Sequence, residues 1–292
     1  MAGYYDPVFL PNGVSVRDMT PDDIAAGLRL CRASNWNQTE QDWRFFLTAA
    51  PHGALVAQED GRVIGTVATL AYGSFTWISM VLVDPVARGR HVGTALLQRG
   101  LELAGADATA RLDATPSGET IYRKIGFAGE YRLARWFLDV TPPPIARRSS
   151  VRPLARADWP AIREMDQRAF GASRLGLLQH LADEAPEYAR VLPRGSDVQG
   201  YLFGRHGHNR EHLGPLVADG PDTAAALLDS ILTEQPDRRF YLDVPDDRQE
   251  WRDVISGIGF AIERPFLRMH RGPLTKPGQP SSIYAIAGPE FG

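Results

Sequence analysis

Residues 77–97, Trp-Ile-Ser-Met-Val-Leu-Val-Asp-Pro-Val-Ala-Arg-Gly-Arg-His-Val-Gly-Thr-Ala-Leu-Leu, constrain this chain more than any other stretch. Residues 77–83 are apolar and rich in β-branched side chains, and they stop at Asp84-Pro85, which is the pattern of a buried strand. From Thr94 to Ala104 the apolar side chains Ala95, Leu96, Leu97, Leu101 and Leu103 recur at near-helical spacing, so a helix follows. The loop between them carries Arg88, Gly89, Arg90, His91, Val92 and Gly93. Glycines let such a loop turn its N–H groups toward one point, and the helix adds its positive N-terminal end. A strand, a glycine loop and a helix in this order can cradle a phosphate.

Two other phosphate motifs compete for the loop. A Walker loop ends in Gly-Lys-Ser/Thr, which is missing here. A dinucleotide fingerprint wants an acidic residue about 20 positions on. Asp113 lies at roughly that distance, so spacing alone leaves this alternative open. The Arg-Gly-Arg opening and the residues after 110 favour a third reading. The segment resembles motif A of the GNAT acyltransferases, where Gln or Arg, two residues, Gly, one residue, then Gly or Ala sit between a central strand and a helix. Arg88, Val92 and Gly93 match, and His91 stands where the family usually has its first glycine.

The order of elements fits the same family. Residues 14–19 alternate as a short strand, and Thr20-Pro21 opens a helix. Residues 53–58 and 62–71 are strand-like and joined at Glu59-Asp60-Gly61, an Asp-Gly hairpin signal. Residues 108–114 form a further strand, residues 119–126 a helix, and residues 127–140 close this half as paired strands. Cys31 lies among helical apolar residues and is read as a packed thiol, and a single cysteine excludes an intrachain disulfide. Pro and Ser in residues 141–150 mark a stiff polar linker.

Residues 151–158 then echo residues 16–23, and the echo continues in register. Residues 200–205 and 212–218 are strand-like, 221–233 helical and 239–244 strand-like, and Ile255 to Phe260 repeats Ile121 to Phe127. The expected fold class is α/β (α+β), with two tandem GNAT folds, each a mixed, mostly antiparallel sheet flanked by helices. The domains are expected at 1–140 and 151–292. After the strand ending at Ala218 the copy has Asp219-Gly220-Pro221-Asp222, which would repel a pyrophosphate, and Ile255 replaces the tyrosine of the first repeat. The second repeat is therefore expected to have lost cofactor binding, with the tail packing back on the body.

The resemblance implies a function. Acetyl-CoA would be the cofactor, its pantetheine pairing with the backbone of Val81, Leu82 and Val83. The loop of Arg88, Gly89, Arg90, His91, Val92, Gly93 and Thr94 would hold its pyrophosphate. Tyr122, before the Gly126-Phe127 pair, resembles the family tyrosine that protonates the departing thiolate. Ser79, through a water, or a carboxylate such as Glu40 would take the proton from a primary amine. Trp36 and Asn37 would contact the acceptor, a small molecule or amino-acid-like amine, and transfer would be direct in a ternary complex. A non-catalytic acyl-CoA binder or sensor is the alternative.

Charge excludes other partners. Residues 1–140 carry 13 Arg and Lys against 15 Asp and Glu, and residues 151–292 carry 17 against 20, so neither half is a basic nucleic-acid module. No stretch approaches the apolar length of a membrane span, no leader pattern is present, and the expected location is cytoplasmic. His206, His208 and His212 are read as a solvated hairpin rather than a metal site. A homodimer is compatible with the sequence.

Overall fold

The computed structural model describes residues 8–9, 13–105, 108–140, 150–195, 197–274 and 276–292. Residues 141–149, nearly all of the expected linker, lie outside them. The chain forms two compact units, Met1–Leu112 and Asp113–Gly292.

The first unit is a sheet with helices against it. Its elements are β1 (Val8–Phe9), β2 (Ser15–Asp18), α1 (Ile24–Ala33), α2 (Glu40–Ala49), β3 (Ala54–Glu59), β4 (Arg62–Ala71), β5 (Thr76–Val83), α3 (Val92–Ala104) and the start of β6 (Ala110–Ala114). Strands β1 to β5 pair antiparallel in chain order, and β6 joins β5 in parallel. The β3–β4 hairpin turns at Asp60 and Gly61, with φ of 48° and 78°, as an Asp-Gly turn requires. Helix α3 lies close on the sheet because it carries glycines where it meets strands. A Cβ on Gly100 would come within 3.3 Å of Val67, and one on Gly93 within 3.2 Å of Val83. Cys31 is fully buried on α1, and burial pushes its thiol up to about 12, which makes it a packed group rather than a nucleophile.

The second unit contains α4 (Pro116–Lys124), β7 (Ala128–Leu138), β8 (Arg152–Pro153), α5 (Trp159–Phe170), α6 (Leu175–Glu184), β9 (Arg190–Arg194), β10 (Asp197–Arg205) and β11 (Glu211–Ala218). It continues through α7 (Pro221–Glu234), β12 (Phe240–Pro245), α8 (Gln249–Ile258), β13 (Ala261–Arg271) and β14 (Ile283–Ala285). The strands run β13-β7-β12-β11-β10-β9-β8, with β14 added to β11, and β11 and β12 pair in parallel. The fold is thus mixed α/β with mostly antiparallel sheets flanked by helices, as expected. No helix among the described residues is long and apolar enough to cross a membrane.

One expectation is corrected here. Residues 127–140 do not close the first half as a pair of strands: they form one strand, β7, inserted between β12 and β13 of the second half. By contact, the compact units divide between Leu112 and Asp113. The alternation of residues 128–138 fixes which side chains face the core but not which strand is the neighbour.

Two buried ion pairs pin this arrangement. Arg135 on β7 donates Nε and Nη2 to the Asp243 carboxylate on β12 at 2.8 and 2.7 Å. Arg268 on β13 donates Nε and Nη2 to Asp113 at 2.8 Å each, and Nη1 to the Tyr131 hydroxyl at 2.7 Å. Arg135 and Arg268 stand the same distance after Phe127 and Phe260, so the pairs occupy matching positions in the two repeats. Each is bidentate and almost wholly out of water, the geometry in which arginine and carboxylate compensate each other's desolvation.

The three histidines separate. His206 and His208 are exposed, and His206 Nδ1 lies 2.8 Å from Glu211 Oε2, while His212 is fully buried on β11. Its Nε2 is 3.4 Å from Asp243 Oδ2, and burial holds the ring neutral, well below the ordinary 6.5.

Two outcomes follow. Asp243→Ala leaves Arg135 charged and unpaired in the core, so chemical denaturation should show a loss of about 3–5 kcal/mol. His212 must stay unprotonated in the native state, whereas the unfolded chain gains its proton below 6.5. The stability present above that pH is lost as pH falls, by up to about 1.4 kcal/mol per pH unit. His212→Leu should flatten that acid limb in denaturation curves collected from pH 7 to 5.

Candidate functional site

The site grows from an irregularity in β5. On β4, Thr66 pairs with Leu82 and Ala68 with Ser79, so Met80 and Val81 together face the single residue Val67. This is a β-bulge, and Met80 takes it up with φ of 53°, a left-handed conformation that side chains rarely adopt. Thr66 stabilises it by donating Oγ1 to the Met80 carbonyl at 2.7 Å in a fully buried setting. On its other edge β5 pairs with β6 only at Thr76–Ala110 and Trp77–Arg111. Beyond Trp77, among the described residues, no strand partner is registered for that edge, which carries Val81, Leu82 and Val83. Val81 and Val83 are partly open to solvent while Leu82 points into the core.

Buried beside the bulge is an unused polar group. Ser79 is 8% exposed, and its hydroxyl has no hydrogen-bond partner among the described residues. A hydroxyl left unsatisfied in the interior costs about 1–3 kcal/mol.

The loop after β5 continues the same theme. Asp84 caps the turn by accepting from Val86 N at 3.2 Å, and it also accepts from Arg29 at 2.6 Å and Arg62 at 2.8 Å. Burial would raise its carboxyl, yet these partners hold it below the usual carboxylate range, and the two arginines offset its charge beside the loop. Gly89 and His91 both have positive φ, 77° and 63°. His91 thus supplies the left-handed turn that a glycine ordinarily makes, directly before α3. The first amide of α3 with an acceptor is Ala95 N, which donates to His91 O at 3.0 Å. Among the described bonds, the amides of Gly89, Arg90, His91, Val92, Gly93 and Thr94 have none. Such a run of free N–H groups at the positive end of a helix can accept an anion. Arg88 is exposed, with Nε 3.3 Å from Val83 O, and Arg90 pairs with Glu59, its Nη1 lying 3.0 Å from Oε2.

The expected acceptor residues divide. Arg32 fixes the connection after α1 by donating to Trp36 O at 2.9 Å and Gln38 O at 2.7 Å. Asn37 is 1% exposed, while Trp36 is partly exposed. Glu40 is at the surface and accepts from Arg44 Nε at 2.8 Å. Tyr122 belongs to the second compact unit. It lies on α4, its ring 5.9 Å from Phe127, and a Cβ on Gly118 would press to 2.8 Å against it. Burial of the phenol pushes it up to about 12, so it keeps its proton at any working pH.

Sequence reasoning passed over Met80, Thr66 and Gln38. Gln38 is buried with Oε1 unpartnered among the described residues, a second polar group facing inward beside Trp36. A Met in an apolar run announces no bulge; only the pairing register shows it. Among the described residues no cluster of three or more metal-capable side chains occurs.

The left-handed turn is testable by substitution. His91→Gly should leave stability unchanged or raise it by up to about 1 kcal/mol, whereas His91→Val should lower it by about 1–2 kcal/mol, both read by thermal unfolding.

These features coincide with what comparison of the chain shows. Residues 23–127 match the profile of the acetyltransferase (GNAT) family, and residues 162–285 match that of an acetyltransferase (GNAT) domain. The uncharacterized N-acetyltransferase YitH of Bacillus subtilis is 25% identical over 249 residues, covering 82% of this chain and 85% of that protein. A protein of Pyrococcus horikoshii proposed to be an acetyltransferase superimposes over 100% of both chains with a TM-score of 0.84 at 24% identity. The GCN5-related N-acetyltransferase of Sphaerobacter thermophilus does so over 92% of this chain and 98% of its own, with a TM-score of 0.68 at 18% identity. At these identities the two structures speak for the fold alone. Two GNAT profiles in succession, on a fold shared end to end, make this chain a tandem member of the GNAT acetyltransferase family.

Proposed function

We propose that the chain moves an acetyl group from acetyl-CoA to a primary amine of a small-molecule or amino-acid-like acceptor, by direct transfer in a ternary complex. One observation carries this reading: the free edge of bulged β5 runs into the unpartnered amides of residues 89–94. An extended chain that bears amides and ends in a diphosphate fits both. The backbone of Val81, Leu82 and Val83 would hold the pantetheine arm, and residues 88–94 the pyrophosphate.

Acetyl-CoA supplies an acyl group on a good thiolate leaving group. The chain supplies the rest. A free N–H of the bulged strand would be placed to donate to the thioester carbonyl oxygen. An acceptor amine, with an ordinary pKa of about 10.4, must lose a proton to attack. The buried Ser79 hydroxyl can pass that proton to a water, which relieves its own lack of a partner. Tyr122, held protonated by burial, donates to the departing thiolate. Trp36 and Asn37, on the connection between α1 and α2, would contact the acceptor.

The reading is tested by incubating the protein and acetyl-CoA with a panel of amines and amino acids and measuring free thiol. Release with some acceptors is expected; tight binding without release across a broad panel would favour the acyl-CoA sensor. Tyr122→Phe should lower kcat by about 100-fold or more while the Kd for CoA changes less than about two-fold. Equal losses in both would reduce Tyr122 to a packing residue.

A further inference from the structure

The second repeat has its own version of the β5 edge, and it is filled. Strands β11 and β12 pair in parallel at only two positions, Glu211–Phe240 and His212–Tyr241, just as β5 and β6 do. Aligning these registers sets His212 on Trp77, and therefore Leu216 on Val81 and Val217 on Leu82. A bulge falls at the same place to within a residue, because β10 pairs with Leu216 through Leu202 and with Leu213 through Gly204. Beyond it, β14 pairs antiparallel with β11, joining Ala285 to Leu216 and Ile283 to Val217. Ile286 N then donates to the Asp243 carbonyl on β12 at 2.9 Å. Residues 283–286 are bonded to both strands where these part.

The surroundings are built for this occupant. Gly214 cannot carry a side chain, since a Cβ there would strike the Ile286 carbonyl oxygen. Trp251 donates Nε1 to Tyr284 O at 2.9 Å and packs edge-on against its ring. Farther along, Glu290 pairs with buried Arg205, Phe291 is fully buried, and Arg174, itself bound to Asp166, donates to Gly292 O at 2.5 Å. The phosphate end is closed as well. Gly220 precedes α7, Pro221 brings no N–H, and Asp222 puts a carboxylate in the first turn of that helix, where the first repeat has free amides.

We propose that residues 283–286 are the permanent ligand of the second repeat's cofactor edge. An internal peptide takes there the backbone pairing that a pantetheine arm takes on Val81 to Val83, so each chain binds one acyl-CoA. The comparison rests on the proposed function of the first repeat, but occupancy of the β11 edge stands independently of it.

Hydrogen exchange and native mass spectrometry of the full chain decide the matter. With CoA we expect one molecule per chain, slower exchange in residues 78–94, and no change in residues 211–222. Two CoA per chain, or protection of residues 211–222 by CoA, would overturn the proposal. Phe291→Ala and Glu290→Gln, which loosen the tail away from the edge, should speed exchange in residues 213–218 and 283–287 together by about ten-fold. Residues 76–83 should be unaffected. For a chain ending at residue 279, a peptide of residues 280–292 added separately should restore slow exchange at residues 213–218. If loosening the tail leaves residues 213–218 unchanged, 283–286 is not the edge's ligand. A chain that binds no CoA removes the reading of the first repeat, and the exchange of the tail variants then settles the β11 edge alone.

Discussion

Parallel strands that part company leave backbone donors and acceptors facing one another without partners, and a buried peptide group cannot remain so. Both repeats of this chain contain such a parting, after Trp77 on β5 and after His212 on β11. In the second repeat the protein's own residues 283–286 resolve it with hydrogen bonds to both strands. In the first repeat β5 offers the same edge beside a bulge, an orphaned Ser79 hydroxyl and a row of free amides.

The bulge and the splay are costly features, and the rest of the fold holds them. Met80 and His91 both adopt left-handed backbone, at roughly 1–2 kcal/mol each, between strands and a helix packed tightly enough to enforce it. Thr66 ties the Met80 carbonyl, and Gly93 and Gly100 let α3 press onto the sheet below the loop. In the second unit, β7 is locked between β12 and β13, and Arg135 and Arg268 close bidentate pairs that admit little change of register. Such pairs add less to stability than to uniqueness: a strand shifted by one residue would bury a lone guanidinium.

Much of this was legible in the amino-acid order. Period-2 and period-3.6 patterns placed β3, β4, β5 and α3 to within a few residues, and the glycines of residues 88–94 marked the turn before α3. The repetition of Ile121 to Phe127 at Ile255 to Phe260 disclosed the second fold. Other features could not be read because they depend on distant partners. A pattern of alternation names a face, not a neighbour, so the insertion of β7 was hidden. Arg135, Asp243, Arg268 and Asp113 look like ordinary surface charges until their partners are known. Asn37 stands among polar neighbours in the sequence, yet it is 1% exposed. Residues 283–287 are too short a run to betray a strand, and helix α6 and strand β9 passed unnoticed in residues 175–194.

Asymmetry between two copies of one fold is the core of this account: one edge stays available and the other is closed from within. The most direct measurement is a crystal structure of the full chain with CoA. The account predicts a pantetheine arm lying along Val81 to Val83, a pyrophosphate at the amides of residues 89–94, and residues 283–286 still paired with β11. A CoA molecule lodged against β11 with the tail displaced, or bound away from β5 altogether, would contradict it.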